Sequence, residues 1–139
     1  MRGVSIHFRV NRIELLPSIC EIARIWCDKF EEWIKQGTYK HTGYTIPLAN
    51  VELRQGSFLD LDFSDADIIY LPCTTFTVQF MKDISRRCAK LKPGTKIITL
   101  SKPLPCITEK DCNVVYNVYD KRSWLMTWGL EPVYYQIKQ

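Results

Sequence analysis

The sequence predicts an α/β domain built on an open sheet, and three observations carry that prediction. Residues 56–104 run strand, loop, helix, Pro-Gly turn and strand in that order. An amphipathic helical pattern beginning near Ser18 stands between two further strand-like stretches. After Leu104 the pattern changes to strand-like segments joined by a loop, with no convincing helix between them, which reads as a closing antiparallel pair. Open α/β sheets bind small ligands at the carboxyl ends of their strands, so the residues at those ends are where function is sought.

The bulk properties set the frame. A chain of 139 residues is enough for one domain, residues 1–139, with one buried core. Apolar residues make up 46% and charged ones 24%, the balance of an ordinary globular protein. No apolar run approaches the ~20 residues of a membrane helix, and the first residues lack the uninterrupted apolar stretch of a signal peptide. The formal net charge of +4 is mild and scattered, so it does not by itself mark a nucleic-acid surface. Six cysteines at 20, 27, 73, 88, 106 and 112 form no CxxC pair, and the histidines lie far from any paired thiols. A structural zinc site is therefore not expected, and reduced thiols in a cytoplasmic or nuclear protein are. Cys20 and Cys88 fall within helical patterns, as small core residues do.

Each element has its own signal. Residues 4–15 read as an extended segment whose last part, Arg12 to Leu15, is a buried strand. Pro17 stops it, and Ser18-x-x-Glu21 has the form of a capping box. Ile19, Ile22, Ala23, Trp26, Phe30, Trp33 and Ile34 recur at spacings of three and four, an apolar stripe on a helix of about four to five turns. Glu31 and Lys35 stand one turn apart for pairing, and Gly37 ends the helix. Thr38 to Asn50 is a loop by composition. Val51 to Gln55 is a short strand, and Gly56 to Asp65 an acidic loop. Ala66 to Leu71 is a continuous apolar run, the pattern of a strand buried on both faces. Phe76 to Leu91 predicts a second helix with Phe80, Met81, Ile84, Cys88 and Leu91 inward. Pro93-Gly94 turns the chain into a strand from Thr95 to Leu100. Val114 to Tyr119 and Val133 to Ile137 form the closing pair.

Four blocks in order sharpen the assignment: IELLPS at 13–18, GSFLDLDFSDADIIYL at 56–71, LKPGTKIITLSKPL at 91–104 and MTWGLEPVYY at 126–135. Together they resemble successive parts of the Dot1-like histone-lysine methyltransferases, a family of class I S-adenosylmethionine-dependent enzymes. The resemblance covers nearly the whole chain. It implies a Rossmann-like class I methyltransferase sheet, mostly parallel, with a C-terminal antiparallel strand pair. It implies S-adenosyl-L-methionine as cofactor and a lysine-containing protein, such as a histone, as substrate.

The resemblance also assigns residues. Glu14, an acid at a strand end, takes the position that accepts hydrogen bonds from the ribose hydroxyls. Ser57 and Phe58 stand where the family has aspartate and an aromatic beside the adenine. Phe58 retains the stacking surface, while Ser57 is shorter and neutral. Leu71 ends the strand beside the cofactor. Pro72 occupies the family's asparagine position near the sulfonium, and proline has neither a backbone N–H nor a polar side chain to replace it. Thr75 and Phe76 line the acceptor side, and Trp128 and Tyr135 match aromatic positions that shape the lysine channel. Such a channel excludes water and steadies the ammonium product by cation–π contact. Every one of these positions has a plainer reading too: a solvated strand-end glutamate, a helix N-cap region, and aromatics that cover a core.

The glycine-rich loop that lets a backbone approach a nucleoside cofactor is missing from the sequence. By resemblance the chain begins near the end of the family's first helix, so the sheet is expected to be N-terminally truncated. The lost strand would lie between Arg12–Leu15 and Ala66–Leu71. Bare buried edges cost ~1–3 kcal/mol per unsatisfied group. Those two strands are therefore expected to pair directly, or to receive a second chain or segment, unless the chain is a truncated product. Two functions follow: a methyltransferase, or a degenerate methyltransferase-like binding module without chemistry.

Overall fold

The computed structural model describes residues 9–36 and 50–139. The expected helix end at Gly37 and all of the expected 38–50 loop except Asn50 lie outside the described residues, as do the side chains of Ile34 and Asn50. The fold is α/β, with two helices and mixed strand pairing among the described residues. The backbone divides into two compact units that meet in sequence at Leu61 and Asp62.

The first unit is one βαβ element: strand β1 (Arg9–Glu14), helix α1 (Pro17–Lys35) and strand β2 (Asn50–Gln55). β1 and β2 pair in parallel, from Arg9 opposite Asn50 to Glu14 opposite Gln55. The other edge of β1 has no strand partner among the described residues. Helix α1 begins one residue before the expected capping box. Pro17 is the first helical residue, where its missing N–H costs nothing and its fixed φ suits the turn. The Leu16 carbonyl accepts from the Ile19 and Cys20 amides. Lys35 pairs with Glu31 at 3.8 Å, as expected from their spacing.

The inner face of α1 is not the stripe that periodicity picks out. Cys20 and Ala23 are buried, and Cys27 and Phe30 are half-buried. Ile19, Ile22, Trp26 and Trp33 are exposed. The reason is width. Two strands lie ~4.8 Å apart, and a helix with its side chains is ~10 Å across. A two-stranded sheet therefore covers only part of an apolar arc this broad.

The second unit holds β3 (Ile68–Leu71), α2 (Val78–Cys88), β4 (Lys96–Leu100), β5 (Ile107–Glu109), β6 (Cys112–Val114), β7 (Tyr116–Met126) and β8 (Gly129–Lys138). Its main sheet has the order β3-β4-β8-β7. β3 and β4 are parallel, while β8 is antiparallel to both β4 and β7. The sheet is thus not mostly parallel, contrary to expectation. The closing hairpin is long and supplies two of the four strands. The short β5–β6 hairpin was not legible, because three-residue strands show no periodicity.

One face of this sheet is covered. Ile97, Thr99 and Gln136 share that face and are almost fully buried. Ser101 to Cys106 returns across it: the Leu104 amide donates to Gln136 Oε1 at 2.7 Å and Gln136 Nε2 donates to the Leu104 carbonyl at 3.0 Å. Helix α2 lies on the same side. Its Thr77 N-cap accepts from the Phe80 amide, its stripe of Met81, Ile84 and Cys88 is buried as expected, and Ser85 Oγ donates to the Pro105 carbonyl at 2.8 Å. Phe80, expected within that stripe, is only half-buried.

The opposite face is more open. Ile68 and Tyr70 are 62% and 59% exposed, so the apolar run of β3 is not a strand buried on both faces. It is an edge strand that pairs with β4 alone among the described residues. β7, the other edge, has a bulge between Val118 and Asp120 and carries Asp120, Lys121 and Arg122. These are devices that guard an edge against further pairing, and β3 has neither.

No two of the six cysteines are bonded to each other. Burial pushes the Cys88 thiol up to about 11, partly offset by the neighbouring Tyr116 hydroxyl, and burial also raises Cys73. A native sample at about pH 8 should therefore be alkylated first at exposed Cys106. Cys20, Cys73 and Cys88 should react only on unfolding, as peptide mass mapping will read. Thr99 Oγ1 is buried without a hydrogen-bond partner. Thr99→Val keeps the branched shape and removes that hydroxyl, so it should raise stability by up to about 1 kcal/mol in a denaturant titration.

Candidate functional site

In the first unit, Glu14 ends β1 and Gly56 follows β2, at the same carboxyl edge of the parallel pair. The Gly56 amide donates to the Glu14 carbonyl at 2.9 Å. This one hydrogen bond sets Ser57 and Phe58 beside Glu14, so the expected cofactor residues of this unit gather at one edge. Gly56 has φ of +149°, a conformation that side chains rarely adopt. A Cβ there would also stand 3.5 Å from the Leu61 side chain.

The Glu14 carboxylate is only part free. Oε1 accepts from the Leu16 amide at 3.1 Å, which holds the chain as it turns into α1. Oε2 lies 3.9 Å from the Arg12 guanidinium, beyond hydrogen-bond range. One oxygen thus remains to receive a ligand hydroxyl. Ser57 is committed to its own turn: Oγ accepts from the Leu59 amide at 3.1 Å, and its carbonyl accepts from Asp60 and Leu61. It cannot reproduce the reach or charge of an aspartate. Phe58 is half-buried.

In the second unit, the carboxyl ends of β3 and β4 carry the other group. Leu71 is buried and Pro72 is exposed. Cys73 Sγ donates to the Leu100 carbonyl at 3.0 Å, which joins the two strand ends. Thr75 is exposed, and Phe76 is half-buried with its ring edge-on to Phe80, centroids 4.9 Å apart. The Lys102 ammonium donates to the Phe76 carbonyl.

Beyond the end of β4, Ser101 takes φ of +67° and donates its amide to the Pro132 carbonyl at 2.8 Å. Its hydroxyl donates to Glu131 Oε1, and Trp128 Nε1 donates to Glu131 Oε2 at 3.3 Å. Glu131 therefore ties the hairpin tip to the strand end. Sequence reading missed Ser101, Lys102 and Glu131, and no local motif marks them; only a positive φ on a non-glycine residue does. Tyr135 sits apart from Trp128. It pairs with Ile98 inside the sheet, and its ring is 6.1 Å from Tyr119. Seven residues of extended chain separate it from Trp128, roughly 20 Å, so the two aromatics do not line one spot.

Among the described residues, no cluster of His, Cys, Asp and Glu could hold a metal, and no helix is long and apolar enough to cross a membrane. The strained glycine gives a direct check on the cofactor edge. Gly56→Ala should cost about 1–2 kcal/mol of stability in a urea titration, more than an alanine in an open loop would. Compared with known proteins, the chain matches no family profile and no curated sequence.

Proposed function

We propose that this chain is an S-adenosyl-L-methionine-dependent methyltransferase domain of the Dot1-like type, acting on lysine in a protein substrate such as a histone. The observation that carries the reading is the hydrogen bond from Gly56 to Glu14. It brings a strand-end acid and an aromatic-bearing loop to one carboxyl edge of a parallel pair, where α/β sheets hold nucleosides. The order β3-β4-β8-β7, a βαβ element extended by an antiparallel hairpin, supports the Rossmann-like assignment.

The residues fit part of the cofactor. Glu14 Oε2 has the chemistry to accept from a ribose hydroxyl, and Phe58 offers a face to the base. When bound, the cofactor supplies a methyl group activated on a sulfonium. In the second unit Leu71, at the end of β3, takes the position that the resemblance gives to the cofactor. Thr75, Phe76 and Trp128 would shape the approach of the amine, and Tyr135 would stand further along β8. An apolar approach favours the neutral amine, because desolvation penalises the ammonium. Pro72 contributes shape alone.

A second reading is favoured by particular residues: a degenerate module that binds a partner without methyl transfer. Pro72 has no donor, Ser57 is shorter than an aspartate and neutral with its Oγ already accepting from the Leu59 amide, and one oxygen of Glu14 accepts from the Leu16 amide.

Calorimetric titration with S-adenosylhomocysteine separates the two. Methyltransferase function requires saturable heat, weakened about tenfold by Glu14→Gln, which keeps an acceptor for the Leu16 amide but loses the charge. Absence of heat at millimolar ligand, from protein with native circular dichroism, would leave the binding module.

A further inference from the structure

The exposed stripe of α1 has the form of an interface. Ile19, Ile22, Trp26, Lys29 and Trp33 follow one another at intervals of three, four, three and four residues, the a/d spacing of paired helices. Leu15 and Leu16, exposed in the turn just before Pro17, border its N-terminal end. Ile22 and Trp26 are each 55% exposed. The stripe is internally ordered: the Trp26 and Trp33 rings meet edge to face at 6.3 Å, and Lys29 Nζ lies 5.1 Å from the Trp26 ring centre.

Leu15, Leu16, Ile19, Ile22, Trp26 and Trp33 together leave on the order of 600 Å² open, the upper end of the ~300–600 Å² typical of a monomer's largest apolar patch. A standard interface takes ~800 Å² from each partner.

We propose that the occupant is a second copy of the same helix, lying antiparallel across a twofold axis. The order of side-chain sizes argues for it. The N-terminal half of the seam is aliphatic (Ile19, Ile22) and the C-terminal half is large (Trp26, Lys29, Trp33). Antiparallel pairing sets Ile19 against Lys29 of the second copy and Ile22 against Trp26, with Trp33 reaching past the first helical turn of the second copy. Every layer then joins a smaller side chain to a larger one, and every layer is an a position facing a d position. A parallel pair would stack tryptophan on tryptophan and lysine on lysine. Charge agrees as well: in this register Glu21 of one helix stands within one turn of Lys29 of the other, on the same flank, and the pairing occurs twice. A twofold contact uses the same patch on both copies and closes at two.

Sedimentation velocity of the full chain from about 1 to 200 µM tests this. The chain should pass from monomer to dimer, and Trp emission should shift to shorter wavelength over the same range. Ile22→Asp should leave a monomer with unchanged far-ultraviolet circular dichroism, because that side chain is exposed in the single chain. Trp26→Ile and Ile22→Trp should each weaken the dimer about tenfold or more, and the double variant should return to within about threefold of the parent. Three results overturn the proposal. One is a monomer at the highest concentration, including one whose tryptophans already emit as buried rings. Another is a dimer indifferent to Ile22→Asp. The third is a double variant no tighter than the single ones.

Discussion

One buried amide organises the second unit. Gln136 faces the covered side of the sheet and gives its side-chain oxygen and nitrogen to the backbone of Leu104. Both backbone groups are inside the protein, where an unpaired N–H or C=O costs ~1–3 kcal/mol. No strand is available to satisfy them, so a glutamine does what a neighbouring strand would. The consequences spread outward. With Leu104 fixed, the Pro105 carbonyl can accept from Ser85, and α2 is held in place by a bond that apolar packing alone would not specify. Tyr116 completes the set by donating to the Ser85 carbonyl at 3.5 Å, and burial holds its hydroxyl well above the ordinary tyrosine range.

That arrangement explains which parts of the fold were legible. α2 was, because its stripe of Met81, Ile84 and Cys88 meets a surface wide enough to bury it. The positions of β2, β3 and β4 were, because β-branched runs and Pro93-Gly94 mark them locally. The inner face of α1 was not. Periodicity locates an apolar arc but does not say how much of the arc its partner is broad enough to cover, and a two-stranded sheet covers little. The exposure of β3 escaped for a related reason: a continuous apolar run looks the same in a central strand and in an edge strand. The share of antiparallel pairing was also hidden, since it depends on how far β7 and β8 extend.

The candidate site divides along the same line. Glu14, Ser57 and Phe58 could be grouped from sequence because each sits at the end of a recognisable strand, and parallel pairing puts such ends on one edge. Trp128 and Tyr135 could not be resolved that way. They belong to a hairpin whose register determines that one stands at the tip and the other inside the sheet. Ser101 and Glu131 are joined across thirty residues by a side-chain hydrogen bond that depends on how β4 and β8 pair. The methyltransferase and binding-module readings differ in whether a few polar atoms at these strand ends can take a ligand.

The two borders of the four-stranded sheet are unequal. β7 is kinked by its bulge and studded with charge, whereas β3, Ile68 to Leu71, carries neither a bulge nor a charged side chain and has no second strand partner among the described residues. The two flanks therefore differ in their capacity to accept a strand, and β3 is the more receptive. If that newcomer were another β3, both ends of the enlarged ladder would be β7, and growth would stop there. The same asymmetry that leaves a vulnerable border thus withholds the second one that an endless fibre would require.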